Sequence, residues 1–155
     1  VGENHLTTTV GTDQYFTRII DEKFPDFDGV IPKDNDKNFT VNKNSLLSAV
    51  KRVSIFSNKT THQIALKLNN EEAVVSTEDA EQSTRASEKI KGNYKGEDIT
   101  VGYNAAYLKD VLSHIENDDV VVQLKSPISA ALFLPKKQKE NTNLTMLLMP
   151  IRLND

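Results

Sequence analysis

The order of apolar segments repeats within this chain, and the repeat limits the folds it can adopt more than any other feature. In each copy a strand-forming run precedes a helical pattern, and three further strand-forming runs follow. The first copy has strands at 39–41, 63–68, 73–77 and 84–90, and the second has strands at 99–103, 120–124, 128–134 and 144–149. The sequence therefore predicts two β-α-β-β-β units.

The helices of the two copies have apolar residues at matching positions. Asn42 or Asn44 is predicted to cap the first helix and Asn104 the second, because asparagine accepts hydrogen bonds from free amides at helix starts. The predicted buried faces are Leu46, Leu47, Val50 and Val53 in the first helix, and Tyr107, Leu108, Val111, Leu112 and Ile115 in the second. Two amphipathic helices side by side under antiparallel sheet would bury both faces, so we predict an α+β fold.

The first 32 residues have a different organisation. Runs at 6–10 and 15–20, separated by Gly11-Thr12-Asp13, predict a β-hairpin. A lone hairpin is marginally stable, so we expect it to be the end of a preceding domain. Pro25 and Pro32 bracket a stretch that cannot be helical, which we interpret as an interdomain connector. The predicted boundary divides residues 1–23 from a main domain at 24–155.

Composition excludes several classes of protein. The 155 residues have a formal net charge of -3, which argues against tight coating of DNA through a basic surface. The chain has no cysteine, so disulfides and thiolate zinc sites are impossible. No apolar run approaches the ~20 residues needed to span a bilayer, so we expect no membrane partner. The first residues do not resemble a signal peptide, and a cytoplasmic location is the expectation.

The sequence shows no pattern of catalytic residues. His5, His62 and His114 lie far apart without partners at metal-ligand spacing, so we predict no metal site and no cofactor. The densest acidic cluster, at 78–81, lacks the glycine and distal glutamate of a calcium loop, and we interpret it as a solvated turn. A small hydrolase that uses this cluster remains an alternative.

Two segments resemble a known family. Phe24-Pro25-Asp26-Phe27 is followed by Val30-Ile31-Pro32, and the run Leu-Leu-Met-Pro-Ile-Arg-Leu occupies residues 147–153. In this order and at this separation they resemble the C-terminal third of the bacterial DNA polymerase III beta subunit, the sliding clamp. The resemblance extends from about His5 to Leu153. It implies the DNA-clamp fold and a non-catalytic subunit that tethers DNA polymerase III to DNA and so raises processivity.

The resemblance implies an apolar pocket for short linear motifs. In the family, matching positions receive motifs of the polymerase alpha subunit, the clamp loader and repair proteins. The pocket positions in this chain are Pro25, Val30, Asn104, Tyr107, Leu147, Leu148, Met149, Pro150, Ile151, Arg152 and Leu153. Met149 would supply an adaptable floor, and Arg152 a partner for peptide carbonyls or a carboxylate. The alternative is an ordinary last strand, and alternation requires some of residues 147–149 to face the core.

A DNA channel and a subunit interface are also implied. Family clamps form a homodimeric ring that encircles double-stranded DNA without reading its sequence. Lys43, Lys51 and Arg52 on the first helix match the channel side, although an ordinary solvated helix face would look the same. Ile55 and Phe56 match an apolar pair at the subunit interface, and the alternative is a helix end tucked into the core.

The chain also departs from the family pattern. Gly29 stands where many clamps have arginine beside the pocket, and Gln82-Ser83-Thr84-Arg85 replaces a stretch that is often acidic. Asn154-Asp155 extend past the usual Arg-Leu ending and would add negative charge at the pocket mouth.

Length is the largest departure. Family members have three similar domains, whereas this chain resembles the third domain and the last hairpin of the second. We therefore expect a monomeric piece that neither closes a ring nor encircles DNA alone, and that binds peptides with reduced affinity. A free-standing peptide-binding adaptor with the same fold remains an alternative.

Overall fold

The computed structural model describes residues 2, 4–70 and 72–153. The chain forms two compact units, Val1–Val30 and Ile31–Asp155. The first unit contains the predicted hairpin and most of the predicted connector. No helix among the described residues is long and apolar enough to cross a membrane.

The first unit is built on an antiparallel hairpin. Its strands β1 (His5–Val10) and β2 (Asp13–Arg18) pair from His5 opposite Arg18 to Val10 opposite Asp13. Gly11 in the connecting turn has a φ of 62°, which glycine adopts without the steric cost that a side chain would add. The predicted hairpin is confirmed.

Within its described residues, the second unit contains nine strands and two α-helices. In chain order these are β3 (Lys37–Asn42), α1 (Lys43–Val53), a 3-10 turn (Ser54–Phe56), β4 (Gln63–Leu68), β5 (Ala73–Asp79), β6 (Thr84–Ile90), β7 (Gly92–Lys95), β8 (Ile99–Asn104), α2 (Ala105–His114), β9 (Asp119–Leu124), β10 (Ala131–Pro135) and β11 (Met146–Leu148). The two predicted β-α-β-β-β units are confirmed as β3-α1-β4-β5-β6 and β8-α2-β9-β10-β11. We did not predict β7, because its first residues, Gly92 and Asn93, are types that are depleted in strands.

The two β-α-β-β-β units exchange their first strands. One antiparallel sheet has the order β11-β10-β9-β3-β7 and the other the order β6-β5-β4-β8. Thus β3 pairs with β9, with Val41 opposite Val120, and β8 pairs with β4, with Val101 opposite Leu66. Since neither unit can complete its sheet alone, the repeat forms one domain with a shared core.

The helices pack beside each other and bury one face each. The buried helix residues are Leu46, Ala49, Val50, Val53, Ala105, Leu108, Val111 and Leu112. One predicted core residue is wrong, because the side chain of Tyr107 is 65% exposed. Leu108, Val111 and Leu112 already fill a face with i, i+3, i+4 spacing, and Tyr107 lies about 100° around the helix from Leu108.

Some predicted boundaries also change. Asn42, rather than Asn44, caps α1, since its Oδ1 accepts from the Ser45 amide at 3.0 Å. The strand predicted at 128–134 begins only at Ala131, because the Ser129 amide donates to the Ser126 carbonyl and closes a turn before it. The strand predicted at 144–149 is shorter, at Met146–Leu148.

Candidate functional site

Residues 146–153, here called the tail segment, join the edges of the two sheets. β11 is the edge strand of the five-stranded sheet and pairs with β10. Ile151 then bridges to Gly102 on β8, the edge strand of the four-stranded sheet, and its amide donates to the Gly102 carbonyl at 2.9 Å. The tail segment is therefore held at two points, one on each sheet.

The bridge requires glycine at position 102. A Cβ atom there would lie 2.5 Å from the Ile151 carbonyl oxygen and 2.8 Å from Leu153 Cδ2. Real Cβ atoms essentially never approach other heavy atoms this closely, so any larger residue would displace the tail segment. We did not predict this contact, although a glycine inside a strand pattern often marks close backbone approach.

Side chains along the tail segment alternate between the core and the surface. Leu148 is buried, whereas Met149 is 57% exposed. Leu147, Pro150, Ile151 and Leu153 are half-buried, and Arg152 is exposed. The expectation that part of 147–149 faces the core is confirmed. Asn154 and Asp155, predicted to add charge at the pocket mouth, lie outside the described residues.

Asn104 connects the tail contact to the start of α2. Its Oδ1 accepts from the amides of Ala106 at 2.9 Å and Tyr107 at 3.4 Å, and its Nδ2 donates to the Thr61 carbonyl at 3.1 Å. The Ala105 amide donates to the His62 carbonyl beside it. Asn104, two residues along β8 from Gly102, thereby fixes both the start of α2 and the loop that precedes β4. The exposed Tyr107 ring follows in the first turn of α2.

The two connector positions predicted for the pocket belong to the first unit. Pro25 and Val30 are both exposed there. Beside them, the Gly29 amide donates to Asp26 Oδ1 at 3.4 Å. That Pro25 and Val30 contribute to the same site as residues 147–153 stays a prediction.

The three cations predicted for a DNA channel have different surroundings. Lys43 Nζ donates to the Ile115 carbonyl at 2.8 Å, where the negative end of the α2 dipole favours a cation. Arg52 forms a bidentate pair with Glu88, with Nε–Oε2 at 2.9 Å and Nη2–Oε1 at 2.5 Å. This hydrogen-bonded guanidinium lowers the pKa of the Glu88 carboxyl. Lys51 forms no ion pair with any residue that the structure describes.

Ile55 and Phe56 lie in the 3-10 turn after α1, and both are exposed. The Thr84 hydroxyl donates to the Phe56 carbonyl at 3.0 Å and fastens the turn to β6. The alternative of a helix end tucked into the core is therefore wrong. Two adjacent exposed apolar residues on a fastened turn suit a protein contact, and the interface role stays a prediction.

The acidic cluster at 78–81 closes the turn between β5 and β6. Asp79 is buried, and its Oδ1 accepts from the amides of Glu81 at 3.0 Å and Gln82 at 3.3 Å. The predicted turn is present, but its central carboxylate is buried rather than solvated. Arg85 lies opposite Glu78 across the two strands. The structure, within the ranges it describes, contains no group of three or more His, Cys, Asp or Glu residues that could hold a metal ion.

An open groove of about 840 Å³ lies on the four-stranded sheet, and we did not predict it. Its lining includes Gln63 on β4 and Ser76 and Glu78 on β5, with Leu153 of the tail segment among the other lining residues. Two small residues that pair across β4 and β5, Ala65 and Ser76, are among its lining residues. These residues are separated in sequence and become neighbours only when the strands pair.

Comparisons with known proteins all point to one family. The family model for "DNA polymerase III beta subunit, C-terminal domain" matches residues 28–152. The beta sliding clamp of Pseudomonas putida strain KT2440 is 31% identical over 153 residues, 99% of this chain and 41% of the relative. That of Escherichia coli strain K12 is 26% identical over 153 residues, also 99% of this chain and 41% of the relative.

Solved structures show the same similarity. A DNA polymerase sliding clamp from Pseudomonas aeruginosa has a TM-score of 0.86 at 30% identity, and the match covers 99% of this chain and 41% of the clamp. A C. crescentus beta sliding clamp has a TM-score of 0.88 at 27% identity, with 99% and 40% covered. The chain thus spans about two fifths of the length of the relatives that it matches.

Proposed function

The chain belongs to the family defined by the C-terminal domain of the DNA polymerase III beta subunit, and from this premise we propose that it is one domain of a replication processivity factor. In this role it tethers DNA polymerase III to double-stranded DNA in the bacterial cytoplasm. It contributes binding surfaces rather than catalytic residues, and it needs no cofactor.

We propose that residues 1–23 end a preceding clamp domain and that residues 24–155 form the third. Exposed apolar side chains support this, including Phe16 on the hairpin and Ile20 just after it. A two-stranded hairpin with such side chains in water is marginally stable without further structure. In the full-length protein, Ile55 and Phe56 would contact the neighbouring copy of a homodimeric ring.

We further propose that the tail segment and the start of α2 bind short linear motifs of the polymerase alpha subunit, the clamp loader and other partners. The observation that carries this proposal is the attachment of Ile151 to Gly102, two residues from the Asn104 cap. It holds exposed Met149 and half-buried Ile151 as apolar surface beside the edge strand β8. Apolar walls with few polar groups are typical of ligand sites, and Arg152 would supply a polar group.

Titration of a fluorescent peptide with a Gln-Leu-x-Leu-Phe motif tests this site. We expect saturable binding by the chain, and loss of binding when Met149 and Pro150 are both changed to alanine. The repeat offers a matched control, because Asn42 and Asn104 cap equivalent helices. Asn42→Ala and Asn104→Ala should destabilise the domain similarly, whereas only Asn104→Ala should weaken binding of the peptide. Equal binding by both variants would contradict the proposed location.

The DNA role rests on α1. A domain with a net charge of -3 is suited to weak, diffuse contacts with DNA, which is what sliding without sequence readout requires. The free-standing adaptor is not favoured, because the matching relatives are named sliding clamps and are longer than this chain. The hydrolase alternative loses its support, since Asp79 accepts from backbone amides within its own turn.

A further inference from the structure

The Arg52–Glu88 pair brings a carboxylate to the solvent face of α1. Along β6, half-buried Thr84, Ala86 and Glu88 alternate with exposed Arg85, Ser87 and Lys89. Ala86 packs against the core, and β6 contacts α1. The Glu88 side chain therefore rises on the helix-covered side of the four-stranded sheet. This position lets it reach Arg52, which is 36 residues away in sequence.

The next residue forms a similar pair on the opposite side. Lys89 Nζ lies 2.5 Å from Glu72 Oε2, and strand alternation directs Lys89 away from the helices. The two pairs have comparable accessibility. Arg52 and Glu88 side chains are 62% and 30% exposed, and those of Lys89 and Glu72 are 74% and 35% exposed. The chain thus contains two ion pairs of the same kind that differ in the side of the sheet they occupy.

We propose that Glu88 restrains the attraction of α1 for DNA by holding the Arg52 guanidinium. This inference rests on the proposed function, in which α1 faces DNA. A carboxylate engages the guanidinium fork in the bidentate manner that a phosphate would use, so the two compete for the same donors. Lys43 is engaged with the α2 C-terminus, which leaves Lys51 as the main cation of α1 that is available to phosphates.

Glu88→Gln should release Arg52 and strengthen binding to duplex DNA. One additional phosphate contact steepens the dependence of log affinity on log salt by about 0.9. The ratio of variant to wild-type affinity should therefore fall about 3.5-fold when salt concentration rises fourfold. Removal of a negative charge alone would also increase affinity, so the gain must depend on Arg52. The Glu88→Gln, Arg52→Ala double variant should lose it.

The experiment is a titration of the ¹⁵N-labelled 155-residue chain with a short DNA duplex at low salt, followed by NMR. We expect the α1 amides and the Arg52 Nε–H signal to shift, with tighter binding in Glu88→Gln. Glu72→Gln is the matched control, since it changes the net charge equally and releases Lys89 on the other side. It should leave the DNA-dependent shifts of α1 unchanged.

The outcomes separate this inference from the proposed function. Three results would each overturn the proposal that Glu88 restrains Arg52. Glu88→Gln could bind DNA no more tightly than Glu72→Gln does, or the gain in affinity could survive in the double variant. The third such result is that neither glutamine variant binds DNA detectably. Lys51→Ala tests the DNA-facing role independently. If DNA shifts the amide signals of residues outside α1 and Lys51→Ala does not change the DNA affinity, the proposal that α1 faces DNA fails as well. If Lys51→Ala weakens binding and Glu88→Gln does not strengthen it, only the further inference fails.

Discussion

Substitution of alanine at Gly102 should detach the tail segment from the four-stranded sheet. The added Cβ would lie 2.5 Å from the Ile151 carbonyl oxygen, 2.8 Å from Leu153 Cδ2 and 3.0 Å from Leu153 Cγ. A leucine side chain can change rotamer, but a backbone carbonyl cannot move unless the chain around it moves. The segment around Ile151 must therefore shift away from β8.

The expected cost follows from these contacts. Forcing an extra carbon into a packed site typically costs about 1–3 kcal/mol. Displacement instead sacrifices the hydrogen bond from the Ile151 amide to the Gly102 carbonyl, worth about 1 kcal/mol net, together with the partial burial of Ile151 and Leu153. We expect Gly102→Ala to lower the free energy of unfolding by about 1–3 kcal/mol and to weaken peptide binding as the site is displaced.

Urea unfolding measures the stability change, and hydrogen exchange of the Ile151 amide reports on the bridge. Leu153→Ala and the double variant Gly102→Ala, Leu153→Ala are the controls. Because the shortest contact is to the carbonyl, truncation of Leu153 should not restore the bridge in the double variant. A Gly102→Ala protein with wild-type stability and a protected Ile151 amide would show that the added methyl group does not displace the tail segment. Full rescue by Leu153→Ala would show that side-chain crowding is responsible.

Other predictions concern the helix caps, a buried hydroxyl and the exposed ion pair. Asn42→Ala and Asn104→Ala should each reduce the free energy of chemical unfolding by about 0.5–2 kcal/mol, since each removes a cap, and a neutral result at either position would contradict its role. Tyr103→Phe should raise the unfolding free energy by about 1 kcal/mol, because the buried Tyr103 hydroxyl has no hydrogen-bond partner among the described residues; a loss of stability would show that it is satisfied. Because Arg52 lowers the Glu88 pKa, an NMR titration should place the Glu88 midpoint below its ordinary value of 4.5 and Arg52→Ala should raise it. The stabilisation from this pair is then present above the ordinary pKa and lost as pH falls through the lower folded value, and an unchanged midpoint in Arg52→Ala would contradict the pairing.

Local patterns were sufficient to predict most of the fold. The helices and the repeated strand order follow from periodicity within about ten residues, and the caps follow from asparagine at the helix starts. The structure confirms both. Tyr107 was placed wrongly because an aromatic residue at the margin of an apolar stripe matches either face. β7 was not predicted, because Gly92 and Asn93 have low strand propensity and are held in a strand by pairing with β3.

The site depends on contacts between distant residues, which local patterns do not contain. Gly102 and Ile151 meet only when β8 and the tail segment reach the same sheet edge. Glu88 reaches Arg52 only after β6 has packed beside α1. The resemblance identified candidate residues. The two contacts add that Ile151 is held against β8 and that the charge of Arg52 is already paired with Glu88.

The most informative measurement on the proposed binding site is an NMR map of the bound peptide. The ¹⁵N-labelled chain is titrated with the Gln-Leu-x-Leu-Phe peptide, and amide shifts are followed along the whole chain. We predict the largest shifts for the amide signals of residues 104–107 and 149–153. When Met149 and Pro150 are both changed to alanine, the same peptide should not shift these signals. Shifts confined to the groove around Gln63, Ser76 and Glu78, or saturable binding that leaves the tail segment unchanged, would contradict the proposed binding site.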